Sequence, residues 1–396
     1  MIHEIRGIAC ASAFAAVCLA ATPAAASFES CVKTIRAEVL SAGVKPEIVN
    51  AAFQDIAFDE KAVRFSRTQP EYHVAIWDYM AFLVDDVRIA DGVKMMRLHD
   101  KTLRAVEKAY GVDRYVLAAL WGVESNYGQD KGDFFLPHAL PNVACGGRKP
   151  GVFTTELIQA LRIVASGDVR LADLRSSWAG AFGQTQFMPS TYRRLAVDFD
   201  GDGRRDTIRS VPDALASAAN FLDKAGWQSG LPWGFEVTLP NSYSGPAGRS
   251  RKAPIAEWAR KGVVRADGGA LPSSGSYGLI RPAGPKGPAF LVSRNFDVLF
   301  SYNAAEAYAL AIGHLSDRLK GKGGFKVAWP TDDPGLTRAQ RKHLQELLIA
   351  KGFYEGDADG RIGPLTTTAI KEAQKKVGMR PTGRPSMRIL NALAGN

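Results

Sequence analysis

The sequence predicts a mainly α-helical larger domain with a short α+β segment, followed by a small three-helix C-terminal domain. Apolar residues recur at a spacing of three to four over most of 28–319, which is the period of amphipathic helices. A segment rich in Gly, Pro and Ser interrupts this period at 228–300, and helix breakers precede a second helical pattern at 336–392. The 396 residues give room for two domains or more, and 46% apolar with 23% charged residues excludes a disordered, collagen-like or coiled-coil chain.

The larger domain is predicted to begin with helices and to regain them after the Gly-rich segment. Asp113 is placed to cap one helix and Asn303 to cap the last one. Short apolar runs at Phe235–Leu239 and Ala289–Val292 predict strands between them. The predicted helices are 28–42, 46–56, 71–89, 93–109, 113–122, 154–166, 212–224 and 303–319.

Residues 1–26 are typical of a secretory signal peptide. A short charged start precedes an apolar run at 7–21, and Ala24-Ala25-Ala26 supplies the small residues that signal peptidase recognises. The run is about 15 residues long, whereas a membrane-spanning helix needs roughly 20; a retained anchor is the alternative. No later stretch of the sequence is apolar enough to cross a bilayer, so we expect a periplasmic protein without a transmembrane segment.

Cleavage of that segment leaves two cysteines, Cys31 and Cys145. Because an even pair in an oxidising compartment usually forms a disulfide, we predict a bond between them. Two separate buried thiols are the alternative. A zinc site is excluded, since no His or Cys stands at ligand spacing to either residue.

Residues 320–335 predict a linker, and 336–396 predict a separate domain with helices at 337–350, 364–377 and 386–393. Pro364 lies in the first turn of the second of these helices, where proline is favoured. The domain carries 11 Lys and Arg against 5 Asp and Glu, more than half of the chain's net charge of +10. An acidic partner is therefore expected: nucleic acid, an anionic membrane or an acidic polymer.

The tail resembles the three-helix peptidoglycan-binding domain of cell-wall hydrolases over 336–392. The resemblance rests on four ordered segments: Leu344–Tyr354, Asp359–Thr366, Ala369–Gln374 and Thr382-Gly383. Ala373 departs from the aromatic residue that the family usually carries there, which affects packing rather than the fold. The resemblance implies a wall anchor that performs no chemistry itself.

One predicted helix of the larger domain ends in a carboxyl group. Val116, Leu117, Leu120 and Val123 form an apolar face, and Glu124 follows it directly, before a polar and aromatic loop. Partial burial raises the pKa of such a carboxyl and lets it hold a proton near neutral pH. A general acid that cleaves a glycosidic bond needs this property. An ordinary helix-end Glu in contact with water is the alternative.

A second segment, 177–192, combines small residues, amides and aromatic rings. Gln184 and Gln186 offer hydrogen-bond donors and acceptors for N-acetyl and hydroxyl groups. Trp178 and Phe187 offer aromatic faces for sugar rings. Simple packing of a Gly-rich loop is the alternative interpretation.

Together, Glu124–Gly128, Gly180–Ser190 and Ser301–Ala309 resemble the motifs of the membrane-bound lytic transglycosylase B family. The resemblance covers roughly 28–319 and implies a lysozyme-like core in which a single Glu acts as both acid and base. By motif match this role belongs to Glu124. The resemblance also implies that four residues lie around the bound sugar: Ser177, Gln186, Tyr302 and Asn303.

A lone carboxylate implies a lyase, because hydrolytic glycosidases normally pair their acid with a second Asp or Glu. In the implied reaction Glu124 protonates the oxygen between N-acetylmuramic acid and N-acetylglucosamine. It then accepts the proton of the muramyl C6 hydroxyl, which closes on C1 and leaves a 1,6-anhydromuramyl end for cell-wall turnover or remodelling. A hydrolytic muramidase and a non-catalytic peptidoglycan-binding protein are the alternatives.

An acidic loop at 198–206 has the first three-quarters of an EF-hand calcium pattern. Its carboxylates stand at loop positions 1, 3, 5 and 9, with Gly at position 6, and are Asp198, Asp200, Asp202 and Asp206. Position 12 is Arg209 instead of Glu. The family resemblance implies that Asp213 completes a structural calcium site, with the backbone carbonyl of Arg204 as a further ligand. A solvated acidic turn is the alternative.

The expected partner is the peptidoglycan glycan strand, whose stem-peptide carboxylates account for the positive charge of the chain. Export argues against nucleic acid. We expect chemistry without a cofactor, apart from the structural calcium, and a monomeric protein. The isolated His residues at 73, 99, 138, 314 and 343 show no triad or metal spacing, which excludes peptidase and amidase functions.

Overall fold

The computed structural model describes residues 23–67, 74–146 and 149–395. The predicted signal peptide lies outside the described residues up to position 22, and Pro23 already begins the first helix. His73 also lies outside them. Among the described residues, none of the helices has the length and hydropathy to cross a bilayer.

The fold is mainly α, as predicted. The helices are α1 Pro23–Ser41, α2 Pro46–Phe53, α3 Glu60–Arg67, α4 Ile76–Leu83, α5 Asp86–Leu98, α6 Asp100–Tyr110, α7 Arg114–Ser125, α8 Leu136–Gly146, α9 Pro150–Ala165, α10 Pro189–Leu195, α11 Val211–Lys224, α12 Ile255–Arg260, α13 Arg294–Asn303, α14 Glu306–Leu319, α15 Arg338–Ala350, α16 Pro364–Lys376 and α17 Met387–Ala394. The strands are β1 Phe134–Phe135, β2 Arg175–Ser176, β3 Gly234–Thr238, β4 Gly248–Pro254, β5 Val264–Arg265, β6 Ser276–Ile280 and β7 Ala289–Val292.

Two predicted helices, 71–89 and 93–109, are wrong because they run across breaks that the structure contains. The side chain of Asp85 accepts a hydrogen bond from the backbone N–H of Arg88 at 2.7 Å and caps α5, so a new helix begins at 86. His99 leaves helical geometry between α5 and α6. Five helices, α3, α8, α10, α12 and α13, are absent from the predicted set. The helix α8 is missed because it contains Pro141, and proline in a sequence normally indicates a helix break.

The predicted cap at Asn303 is also wrong. Asn303 is the last residue of α13, and Ala304 follows it in the left-handed region at φ 49°. The chain therefore turns before α14 begins at Glu306. In contrast, Asp113 caps α7 as predicted, since its side chain accepts from the N–H of Tyr115 at 2.8 Å.

The Gly-rich segment forms a five-stranded antiparallel sheet with the strand order β4-β6-β7-β3-β5. The two predicted strands pair with each other at its centre, where Phe235 lies opposite Leu291. Buried side chains of this sheet pack on Ile255 and Trp258 of α12. A separate two-stranded ribbon pairs β1 with β2.

The helix α7 lies inside the largest hydrophobic core. Eight of its twelve residues are buried, and they pack among buried residues of α6, α11, α13 and α14. A second core joins α1, α2, α8, α9 and α10. The predicted disulfide is present between Cys31 of α1 and Cys145 of α8, so it cross-links two helices of this second core.

The tail forms its own small core from α15, α16 and α17. Residues 320–335 contain no helix or strand, but they pack on the larger domain: Phe325 stacks on His314 at 3.8 Å between ring centroids. Arg384 of the tail donates two hydrogen bonds to the buried carboxylate of Asp78 at 2.7 and 2.8 Å. The tail is therefore docked on the larger domain.

Candidate active site

Glu124 lies one residue from the end of α7, where the backbone turns sharply. Asn126 and Tyr127 both adopt the left-handed region, at φ 50° and 59°. The N–H of Asn126 closes the helix on the carbonyl of Gly122 at 3.1 Å. That carbonyl also accepts a hydrogen bond from the guanidinium of Arg88, which is 4% exposed. The helix end that carries Glu124 is thus fixed from two sides.

Within the described part of the chain, the carboxyl of Glu124 has one side-chain hydrogen-bond partner, Tyr308. The phenol of Tyr308 donates a hydrogen bond to Oε1 of Glu124. Tyr302 stacks on Tyr308 with 6.2 Å between ring centroids and 16° between ring planes. Its phenol donates to the carbonyl of Thr185 at 2.6 Å. The turn between α13 and α14 brings these two tyrosines together beside the acid.

Burial raises the pKa of Glu124 to about 7, while the hydrogen bond from Tyr308 pulls that pKa down. The residue as a whole keeps partial solvent exposure, while its carboxyl is desolvated. Among the described residues, no second carboxyl contributes to this shift. Near neutral pH Glu124 is therefore able both to donate and to accept a proton.

The segment 177–187 folds into two tight turns that face α7. Oγ of Ser177 accepts hydrogen bonds from the N–H groups of Ala179 and Ala181 at 3.3 and 3.2 Å. Gln186 has a left-handed backbone at φ 50°, and its Nε2 donates to the carbonyl of Gly183 at 2.8 Å. Ser125 attaches this segment to α7 because its Oγ donates to the carbonyl of Gln184 at 2.5 Å.

The sugar-binding role that the sequence suggested for two side chains is wrong, because both are buried. Gln184 is 4% exposed, and its Oε1 accepts from the indole N–H of Trp121 at 3.1 Å. Phe187 is 2% exposed and packs against Phe221 and Tyr302. Both side chains hold the segment in place instead of offering a surface. Trp178 and Gln186 keep partial exposure.

The structure relates the four residues implied around the sugar to Glu124 through intermediate residues. Tyr302 reaches it through Tyr308, and Gln186 lies in the turn that Ser125 attaches to α7. Asn303 is exposed next to Tyr302 at the end of α13, and Ser177 lies in the adjoining turn. Sequence reasoning assigned no role to Tyr308, although it lies in a quoted motif as the first buried aromatic residue of α14.

In the acidic loop, the exposed side chains of Asp198, Asp200 and Asp202 bring one oxygen each within 4.8 Å of one another. Asp213 is buried, and its carboxylate accepts from the N–H groups of Phe199, Asp200 and Asp206 at 2.8, 3.3 and 2.8 Å. Oδ1 of Asp206 accepts from the next turn, from the N–H groups of Ile208 and Arg209. The N–H of the exposed Arg204 donates to Asp202 at 2.8 Å.

Comparison with known protein families matches residues 27–317 to the transglycosylase SLT domain. The chain belongs to that family. Residues 337–393 match a peptidoglycan binding domain. These two matches agree with the motifs quoted for the larger domain and for the tail.

Solved structures and a curated relative are similar to this SLT-domain chain. SltB3 from Pseudomonas aeruginosa, in complex with NAG-anhNAM-pentapeptide, is 40% identical with a TM-score of 0.74 over 93% of this chain and 99% of that one. SltB1 from the same organism is 26% identical with a TM-score of 0.64 over 74% and 100% of the two chains. Membrane-bound lytic murein transglycosylase B of Escherichia coli (strain K12) is 28% identical over 248 residues, which span 59% of this chain and 64% of that relative's length.

Proposed function

We propose that this protein is a lytic murein transglycosylase that cleaves the MurNAc-β-1,4-GlcNAc bond and leaves 1,6-anhydro-MurNAc ends. The observation that carries the proposal is Glu124, an acid with a pKa of about 7 at the end of a buried helix of an SLT domain. The related SltB3 was solved with NAG-anhNAM-pentapeptide, which contains the anhydro sugar that this reaction forms.

The reaction uses one group twice. Protonated Glu124 donates its proton to the bridging oxygen as the bond from C1 to that oxygen breaks. The substrate's acetamido group stabilises the developing positive charge at C1. The carboxylate of Glu124 then removes the proton of the C6 hydroxyl, whose oxygen bonds to C1. Glu124 ends protonated, and no water is consumed. Among the described residues, no second carboxyl contributes to the pKa shift of Glu124, which supports a lone acid.

The residues around Glu124 orient its carboxyl and bind the substrate. Tyr308 orients the carboxyl by its hydrogen bond and stabilises the ionised form. Ser177, Gln186, Tyr302 and Asn303 are proposed to lie around the bound sugar. We also propose that the protein acts as a monomer and that a cleaved signal peptide delivers it to the periplasm.

Digestion of purified sacculi tests the activity. Wild type is expected to release fragments whose muramyl ends are one water lighter than hydrolysis products, and Glu124→Gln is expected to release none. Glu47→Gln, an exposed carboxyl on α2, is the matched control and retains wild-type release. Hydrated reducing ends identify a muramidase instead. Equal release by wild type and Glu124→Gln means that Glu124 is not the acid.

We also propose that the acidic loop binds a structural calcium ion. Three convergent, exposed carboxylates supply the hard oxygen ligands that calcium prefers. Asp213 and the carbonyl of Arg204 complete the proposed set, and Asp206 is a further candidate ligand through Oδ2, because its Oδ1 accepts from its own turn. Added calcium is expected to raise the melting temperature of the chelator-treated protein, and Asp200→Asn to reduce that rise. An unchanged melting temperature in both conditions rejects the site.

A further inference from the structure

The loop 126–133 follows the helix that carries Glu124 and contacts the two tight turns of segment 177–187. Within the loop, the N–H of Asp130 donates to the carbonyl of Ser125, at the end of the helix, at 2.9 Å. Further along, the carbonyl of Lys131 accepts from Nε2 of Gln186 at 3.4 Å. The position of this loop therefore affects both Glu124 and a proposed sugar-binding side chain.

The same loop packs against the turn that contains Ser177. Gly132 adopts φ 104°, and a Cβ atom there would lie 2.1 Å from the backbone carbon of Ser176. The next residues form β1, which pairs with β2 through Phe134 and Ser176. A shift of the loop therefore moves the backbone next to Ser177.

The outer edge of the loop is held by a residue of the tail. The guanidinium of Arg361 contacts the carboxylate of Asp130 and lies 3.4 Å from that of Asp133. Arg361 follows Asp133 by 228 positions in the sequence. The tail thus reaches the loop that follows the catalytic helix.

The backbone that presents Arg361 is rigidly placed within the tail. Gln345 is fully buried, and its Nε2 donates to the carbonyl of Arg361 at 2.9 Å and to Asp359 at 3.0 Å. The N–H of Gly360 donates back to Oε1 of Gln345 at 2.6 Å. The buried amide of Gln345 therefore holds Asp359, Gly360 and Arg361 in place.

The tail is attached to the larger domain at further points, which give Arg361 a fixed base. Arg384 pairs with Asp78, and the N–H of Arg338 donates to Oδ2 of Asp85 at 3.0 Å. The other oxygen of Asp85 caps α5, which carries Arg88 and its hydrogen bond to the carbonyl of Gly122. The tail therefore supports the catalytic helix as well as the loop after it.

We propose that Arg361 is a positioning residue for murein cleavage: through Asp130 and Asp133 it holds the loop 126–133 in place between Glu124 and the Ser177 and Gln186 turns. The proposal rests on the proposed function. It makes the tail a part of the active-site framework in addition to its expected role as a wall anchor. Arg361 acts through the loop and does not contact the reacting atoms.

A kinetic test compares full-length variants on short, soluble, uncross-linked murein glycan strands. Arg361→Ala is expected to lower kcat about two- to fivefold with little change in KM, the range that an exposed ion pair supplies. Arg361→Lys is expected to recover part of the loss. Arg388→Ala, which removes the exposed pair with Asp332 in the same tail, is the matched control and keeps wild-type kcat.

Salt and a double-mutant cycle provide independent readouts. Because salt screens exposed charges, rising NaCl should bring the wild-type rate toward that of Arg361→Ala, whose own rate changes less. Adding Asp130→Ala and Asp133→Ala to Arg361→Ala should lower kcat no further. Equal kcat for wild type, Arg361→Ala and Arg388→Ala at low salt overturns the proposal. So does a loss confined to pelleting with sacculi, which would make Arg361 a wall contact.

Hydrogen exchange separates this proposal from the proposed function. In the absence of substrate, Arg361→Ala should speed exchange of the amides of 126–133 relative to wild type and Arg388→Ala. This readout stands even if Glu124→Gln and wild type release the same products. Unchanged exchange in that loop shows that Arg361 does not hold it, whatever the protein's activity.

Discussion

Glu124 keeps its proton near neutral pH because the protein removes water from around its carboxyl group, while Tyr308 stabilises the ionised form. These opposing effects place the pKa close to the pH at which the group has to donate and then accept a proton. An exposed glutamate on the same helix would stay ionised and would lack the proton for the first step.

The expected pH dependence follows from this pKa. The proton-donating form of the free enzyme predominates below about pH 7 and is lost as pH rises through that value, so kcat/KM should fall along an alkaline limb near pH 7. Tyr308→Phe removes the donor that stabilises the carboxylate, which should move the limb to higher pH and lower kcat about tenfold. Rates on soluble glycan strands across pH 5–9 measure both effects; an unmoved limb contradicts the role of Tyr308.

Secondary-structure elements place the site through turns that need unusual backbone conformations. The α13–α14 turn at Ala304 brings Tyr302 and Tyr308 into a stack, and the α7–β1 loop brings Gly132 against Ser176. At Gly132 the positive φ and the lack of space for a Cβ atom act together. Glycine is therefore required there by packing as well as by backbone strain.

Gly132→Ala is predicted to be strongly destabilising. The new Cβ atom overlaps the backbone of β2, so the free energy of unfolding should fall by about 2–4 kcal/mol. Gly43→Ala is the control, because Gly43 has φ 80° with open space around it and should lose only about 1 kcal/mol. Urea unfolding of both variants measures the difference, and equal losses would show that the overlap is relieved at no cost.

At the scale of the whole molecule, covalent and ionic cross-links join distant parts of the chain. The disulfide joins Cys31 and Cys145 across 114 positions, and Arg384 joins the tail to Asp78. The larger domain, the segment 320–335 and the tail are consequently one connected structure in which the tail borders the active-site loop.

Reduction of the disulfide is predicted to lower stability. Removing a cross-link over a long loop frees the unfolded chain, so the free energy of unfolding should fall by about 2–5 kcal/mol in reducing agent. The variant with both Cys31→Ser and Cys145→Ser should already show this lower stability and should not respond to the reducing agent. Unfolding of wild type that is identical with and without reductant would mean that the bond does not form in solution.

The sequence by itself determined the helical class, the tail module, the cysteine pair and Glu124 at the end of an apolar helix. All of these depend on spacing within a short stretch or on the pairing of a few residue types, which the linear chain displays. The helix breaks at Asp85 and His99 could not be predicted from apolar periodicity, because the local contacts that end a helix leave no signal in that period.

Only the tertiary structure decided which side chains work together. Tyr308 is 184 positions from Glu124, and Arg361 lies in a different domain from Asp130. Gln184, which looks like a sugar ligand in sequence, is turned inward by Trp121. Contacts of this kind arise when separate elements pack into one core and their side chains compete for the same buried partners, and local sequence carries no record of that competition.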